Sequence, residues 1–71
     1  MVNLIEEGSK HLESGDFDKA IVAFTEFLKT NDSDPNVICL RGVAYRKAQK
    51  FNESLADFQK AANLIPTNAS V

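Results

Sequence analysis

Phe17-Asp18-Lys19-Ala20-Ile21-Val22-Ala23-Phe24 is answered, 34 residues later, by Phe51-Asn52-Glu53-Ser54-Leu55-Ala56-Asp57-Phe58. Aromatic residues coincide at both ends of the two stretches. Between them a small residue (Ala20, Ser54) and an aliphatic one (Ile21, Leu55) hold the same places, while solvent-type positions such as Ala23 and Asp57 differ. The same step joins Gly8 to Gly42, Leu4 to Ile38, His11 to Tyr45 and Asp18 to Asn52. Agreement confined to apolar and small positions indicates a shared packing plan, and a repeat of this period points to stacked supersecondary units.

Each unit reads as two helices. In the first, Leu4, Gly8, His11 and Leu12 recur at three- and four-residue steps and so share a face. Asn3 followed by Glu6 offers a capping box, and Ser14-Gly15 is the stop, because Gly adopts the left-handed conformation at little cost. Asp16 is the expected cap of a second helix, with Phe17, Ala20, Ile21, Phe24, Phe27 and Leu28 as its apolar stripe. Residues 30–34 read as a loop. Asp34-Pro35 then restarts the pattern, with Asp as cap and Pro at the first helical position, where no hydrogen-bond donor is lost. A third helix carries Ile38, Gly42 and Tyr45. A fourth carries Phe51, Ser54, Leu55, Phe58, Ala61 and Ala62, ending near Leu64-Ile65-Pro66, with a frayed end at residues 68–70.

Gly8, Gly42, Ala20 and Ser54 fall where helices must approach closely. Phe17, Phe24, Tyr45, Phe51 and Phe58 are expected to supply most of the buried area. The chain has 71 residues and a mass of 7.8 kDa, which allows one domain. A domain of this size buries only about 60% of the surface its unfolded chain exposes, so the core is thin.

Composition narrows the functional classes. Hydrophobic residues make up 44% and charged residues 25%, a globular balance that argues against a disordered tail. Apolar runs fall far short of the ~18 residues of a membrane span, and residues 1–7 lack the basic flank and apolar stretch of a secretory signal. Cys39, the single cysteine, has no internal disulfide partner; together these features suit a reducing, cytoplasmic setting. The net charge of −2 argues against a nucleic-acid binder. It divides unevenly. Residues 1–34 hold three bases (Lys10, Lys19, Lys29) against eight acids (Glu6, Glu7, Glu13, Asp16, Asp18, Glu26, Asp32, Asp34), a balance of −5. Residues 35–71 hold five bases (Arg41, Arg46, Lys47, Lys50, Lys60) against two acids (Glu53, Asp57), a balance of +3.

The period of 34, and the spacing Gly-x-x-His/Tyr followed by Phe-x-x-Ala/Ser-Ile/Leu-x-x-Phe, resemble the tetratricopeptide repeat. The resemblance covers two repeats, 1–34 and 35–68, with a tail at 69–71. It implies an all-α fold of two helix-turn-helix units, four antiparallel helices stacked as a short right-handed solenoid. Departures from the family pattern occur. The slot usually held by Trp carries Leu4 and Ile38, the Leu slot before Gly carries Glu7 and Arg41, and the closing Pro is present as Pro66 but replaced by Asp32 in the first unit.

Catalysis has little material. A nucleophile needs a base within hydrogen-bond reach and a group that orients it, yet His11 and Cys39 stand alone and His11 occupies the core slot that Tyr45 fills in the second unit. No metal-ligand cluster, phosphate-cradling glycine loop or Cys-x-x-Cys pair occurs, so no enzyme activity, metal or cofactor is expected. Three Asn-x-Ser triplets (at Asn31, Asn52 and Asn68) read as plain surface positions.

Binding has more material. The resemblance implies a concave groove lined by the first helix of each repeat. Its expected residues are Val2, Ile5, Ser9, Leu12 and Glu13 from one helix and Asn36, Cys39, Leu40, Val43, Arg46 and Lys47 from the other. Ile5, Leu12, Cys39 and Val43 are apolar where a solvated helix favours charge, which marks either an interaction site or a surface covered by a neighbouring helix. The expected ligand is a peptide or helix of a partner protein. One branch of the family clamps acidic tails of heat-shock chaperones with Lys and Asn, but those slots here hold Ile5, Ser9 and Leu40; only Arg46-Lys47 is suited to a carboxylate. The fourth helix has limited cover on Leu55, Phe58, Ala62 and Leu64. Either it belongs to a longer scaffold, or another copy covers it, with the acidic half of one molecule approaching the basic half of the next.

Overall fold

A computed structural model describes residues 3–65; Val2, Pro66 and the 69–71 tail lie outside them. Four helices follow in order: α1 (Leu4–Ser14), α2 (Phe17–Thr30), α3 (Pro35–Lys47) and α4 (Phe51–Leu64). No strand occurs among the described residues. α1 packs on α2 and α3 on α4 as two hairpins, α2 packs on α3 to join them, and α1 touches α3.

The local signals act as physical chemistry requires, with two exceptions. Asn3 accepts from the N–H groups of Ile5 and Glu6, and Asp34 from those of Asn36 and Val37, so both side chains satisfy donors that the first turn leaves without partners. Gly15 closes α1 at φ 89°, with its N–H directed to the carbonyls of His11 and Leu12. Asp16, expected to cap α2, occupies the N-cap position without a side-chain capping bond. Its carboxylate instead accepts from the Ser14 hydroxyl at 3.4 Å. Thr30, read as the first loop residue, ends α2 as its last helical residue.

The core runs through all four helices: Ala20, Phe24 and Leu28 from α2, Val37, Ile38 and Ala44 from α3, and Ala61 from α4, with Ile5 and Leu12 of α1 packed against them. Gly8 and Gly42 are buried where each hairpin closes. A Cβ on Gly8 would overlap the Phe24 ring, and one on Gly42 would lie 3.0 Å from the Phe58 ring. Across the second hairpin, the Ser54 hydroxyl donates to the Gly42 carbonyl at 2.8 Å in a buried position.

Phe51 departs from expectation. The repeat pattern puts it in the core with the other aromatics, yet it is 62% exposed. It opens α4 as Phe17 opens α2, but Phe17 is half-buried, sharing a pocket with Ala48 just past the end of α3. No described helix plays that part for Phe51. Phe58 and Tyr45 are likewise half-buried, which leaves Phe24 as the one aromatic fully enclosed among the described residues.

Candidate functional site

On α1, Ile5, Ser9 and Leu12 follow at steps of four and three, and on α3 so do Cys39, Val43 and Arg46; each set therefore shares one helical face. Ile5, Ser9, Leu12, Cys39 and Val43 are half-buried. Ile5, Leu12, Cys39 and Leu40 pack their inner atoms on the core, and their remaining surface is open. Asn36 lies exposed in the first turn of α3, and Arg46 and Lys47 lie exposed in its last turn. Cations at that end meet the partial negative charge of the α3 C-terminus, which stabilises them there. The result is a surface with apolar residues on both helices and positive charge at one end.

The α3–α4 turn extends that basic end. Gln49 has φ 66°, a left-handed conformation, in the slot where the first hairpin has Gly15. The turn is closed by the N–H of Gln49 to the carbonyl of Arg46 at 2.9 Å and by that of Lys50 to the carbonyl of Tyr45 at 2.8 Å. It brings Phe51 beside Val43, Arg46 and Lys47, and these residues line one pocket with Gln49. The exposed Phe51 ring is thus an addition to the expected set.

A second feature, also unread in the sequence, sits between the hairpins. The Arg41 guanidinium grips Asp57 of α4 with two bonds of 2.8 Å, from Nε and Nη2, and donates a third at 3.3 Å to the Thr25 hydroxyl of α2. It lies over the Tyr45 ring, 5.6 Å from its centroid. The hydrogen bond to Asp57 raises the Arg41 pKa above its ordinary value, against the lowering effect of burial. The guanidinium therefore stays charged, and its bonds fix α3 against both neighbours. Its signal in the sequence was a double departure: a base in the Leu slot at 41, and an acid at 57 where the first unit has Ala23.

His11 and Cys39 are not brought together as a reactive pair. Nδ1 of His11 lies 4.0 Å from Asp16 Oδ2. The ring lines an apolar notch at the α1 end of the molecule with Leu4, Glu7, Val22, Ala23 and Glu26. Cys39 is a free thiol, half-buried on α3. Among the described residues no three His, Cys, Asp or Glu side chains gather as metal ligands would, and no helix is long and apolar enough to cross a membrane.

Residues 35–68 match the family model of the tetratricopeptide repeat. The chain is 38% identical over 63 residues to a "Heat shock protein sti1 homolog" from Schizosaccharomyces pombe; the alignment takes in 89% of this chain and 11% of that protein. The chain thus spans about a ninth of the length of that relative. No solved structure matches it. Two helical hairpins built on one 34-residue plan, a glycine under an aromatic ring in each, and a family match across the second hairpin lead to one conclusion: residues 35–68 are a tetratricopeptide repeat, a protein-interaction repeat, and the first hairpin follows the same plan.

Proposed function

We propose that the chain presents the α1–α3 surface as a groove to a peptide or helix of a partner protein, with repeats at 1–34 and 35–68 and a tail at 69–71. The observation that carries this reading is the set of half-exposed apolar side chains, Ile5, Leu12, Cys39 and Val43, on two helices that touch. A partner gains by covering them, at about 25 cal/mol per Å² of apolar surface removed from water. Arg46 and Lys47 orient it by attracting an acidic segment to the end where Phe51 lies. Asn36 and Ser9 supply polar contacts along the same side. In this reading the protein is a cytoplasmic binding module without catalytic activity or cofactor, and neither nucleic acid nor membrane is its target.

The test is Val43→Glu. A partner's binding falls while the melting temperature holds if the groove is the binding surface. Loss of stability with no effect on binding favours the alternative, a structural segment of a longer repeat scaffold. A narrower reading, a co-chaperone that grips acidic tails, draws on the heat-shock name of the yeast relative. It lacks the Lys and Asn expected at Ile5, Ser9 and Leu40, and salt-sensitive binding of acid-ended peptides is its test.

A second copy of the chain is a further partner. Phe51 and Leu55, 62% and 58% exposed on α4, favour self-association through the terminal helices.

A further inference from the structure

We propose that copies of the chain stack head to tail, the outer face of α4 in one copy packing on the α1 end of the next. This rests on the self-association reading and fixes its geometry. The template lies within the chain, where α2 packs on α3 and Arg41 of the second hairpin donates to Thr25 of the first. The equivalent surfaces are repeated at the two ends. Phe51, Leu55 and Phe58 stand in the slots of Phe17, Ile21 and Phe24, and Leu4 and His11 in those of Ile38 and Tyr45. At the polar centre Gln59 takes the slot of Thr25 and Glu7 that of Arg41. Donor and acceptor exchange sides there: the Gln59 amide donates to the Glu7 carboxylate.

Charge selects this arrangement over a symmetric one. Five slots carry a charged residue in both repeats, and in each the sign reverses: Glu7 and Arg41, Glu13 and Lys47, Asp16 and Lys50, Lys19 and Glu53, Glu26 and Lys60. Packed helices lie about 8–10 Å apart, within the screening length of about 10 Å at 0.1 M salt. Head-to-tail order places each slot between neighbours of opposite sign. It sets Phe51 and Lys50 against the end of α1, as Phe17 and Asp16 lie against the end of α3 in one copy. A two-fold contact through α4 instead sets the +3 half of one copy against the +3 half of the other. Head-to-tail contacts are heterologous and extend rather than close.

The experiment blocks each end separately. Leu55→Glu disables the α4 face, and Glu7→Lys with Val22→Lys disables the α1 end; all three side chains are exposed, and helical circular dichroism melts confirm folding. Sedimentation velocity is then run across concentration. The expected result is a concentration-dependent rise for the unmodified chain, monomers for each blocked protein alone, and a discrete 1:1 dimer when the two are mixed. Monomers after mixing overturn head-to-tail stacking. Self-association of the Glu7/Val22 protein alone, with Leu55→Glu monomeric, also overturns it and leaves a symmetric α4 contact, so self-association itself survives. An unmodified chain that stays monomeric at every concentration overturns both. The unmodified chain also gives a test that needs no variant: association that does not weaken as salt rises overturns the charge argument.

Discussion

α2 and α4 are two versions of one helix with different surroundings. Both run for 14 residues, open on Phe, and set an aromatic ring against a glycine of the preceding helix. α2 has α1 on one side and α3 on the other, whereas α4 packs on α3 alone. The outcome differs residue by residue. Phe24 is fully enclosed and Phe58 half-buried, while Leu28 is buried and its counterpart Ala62 is exposed. The pattern decides which face a side chain points to, and the neighbouring helix decides how far it is buried. α4 offsets part of the lost cover with polar bonds, Ser54 to Gly42 and Asp57 to Arg41, where α2 carries Ala20 and Ala23.

The comparison breaks most directly at the two aromatics. Phe24→Ala removes an enclosed ring and is expected to cost about 3–5 kcal/mol. Domains hold only about 5–15 kcal/mol in total, and a small one sits at the low end, so this variant should be largely unfolded. Phe58→Ala removes a ring already partly in water and should cost roughly half as much. Urea unfolding followed by circular dichroism measures both. Equal losses would show that α4 is as well enclosed in solution as α2.

The second comparison sets the charged pair against its apolar counterpart. Asp57→Ala strands the Arg41 guanidinium in a site where the two side chains are only 19% and 8% exposed, and is expected to cost about 3 kcal/mol. Arg41→Leu combined with Asp57→Ala restores the family's Leu slot and the Ala of the first repeat. It should cost less than Asp57→Ala alone, since no unpaired charge remains and the two effects are coupled. A double variant less stable than Asp57→Ala would mean that the bond from Arg41 to Thr25, which crosses between the hairpins, contributes more than the ion pair within the second one.

Much of this fold was legible because its signals are local. Gly15 and Asp34-Pro35 mark helix ends through backbone conformation and capping, and helical spacing puts Ala20, Phe24, Leu28 and Ile38 on inward faces, whereas Ala23 and Asp57, which read as solvent-type, are buried as well. The errors have a common cause. The apolar slot of Phe51 points to the core, but slot identity does not record whether another element covers it. The Arg41–Asp57 pair joins positions 16 apart on different helices, and only a base in the family's Leu slot together with an acid in place of Ala23 hinted at it. Gln49 adopts a conformation that residue type announces only for Gly or Asn; its correspondence to Gly15 was the available clue. For the groove, helical spacing alone yields the grouping of Ile5, Ser9 and Leu12. That this face is the one left open followed from the family resemblance.

The finest comparison is between the two Asp caps. Both begin the second member of a helix junction, and both fit the preference for Asp at this position. Asp34 accepts at 3.0 Å from the Asn36 N–H and at 3.3 Å from the Val37 N–H, so Asp34→Ala leaves two donors without their partner and should cost about 1 kcal/mol. Asp16 makes no such bond. Its contacts are the exposed Ser14 hydroxyl and the half-buried His11, and since Asp16 itself is exposed, pairs of this kind contribute about 0–1 kcal/mol. Asp16→Ala should therefore change stability by less than about 0.5 kcal/mol, and thermal melts of the two variants side by side measure the gap. A loss at Asp16 as large as that at Asp34 would mean that its carboxylate turns inward to cap α2 in solution. The tight Gly15 turn would then not be what holds that junction in place of a cap.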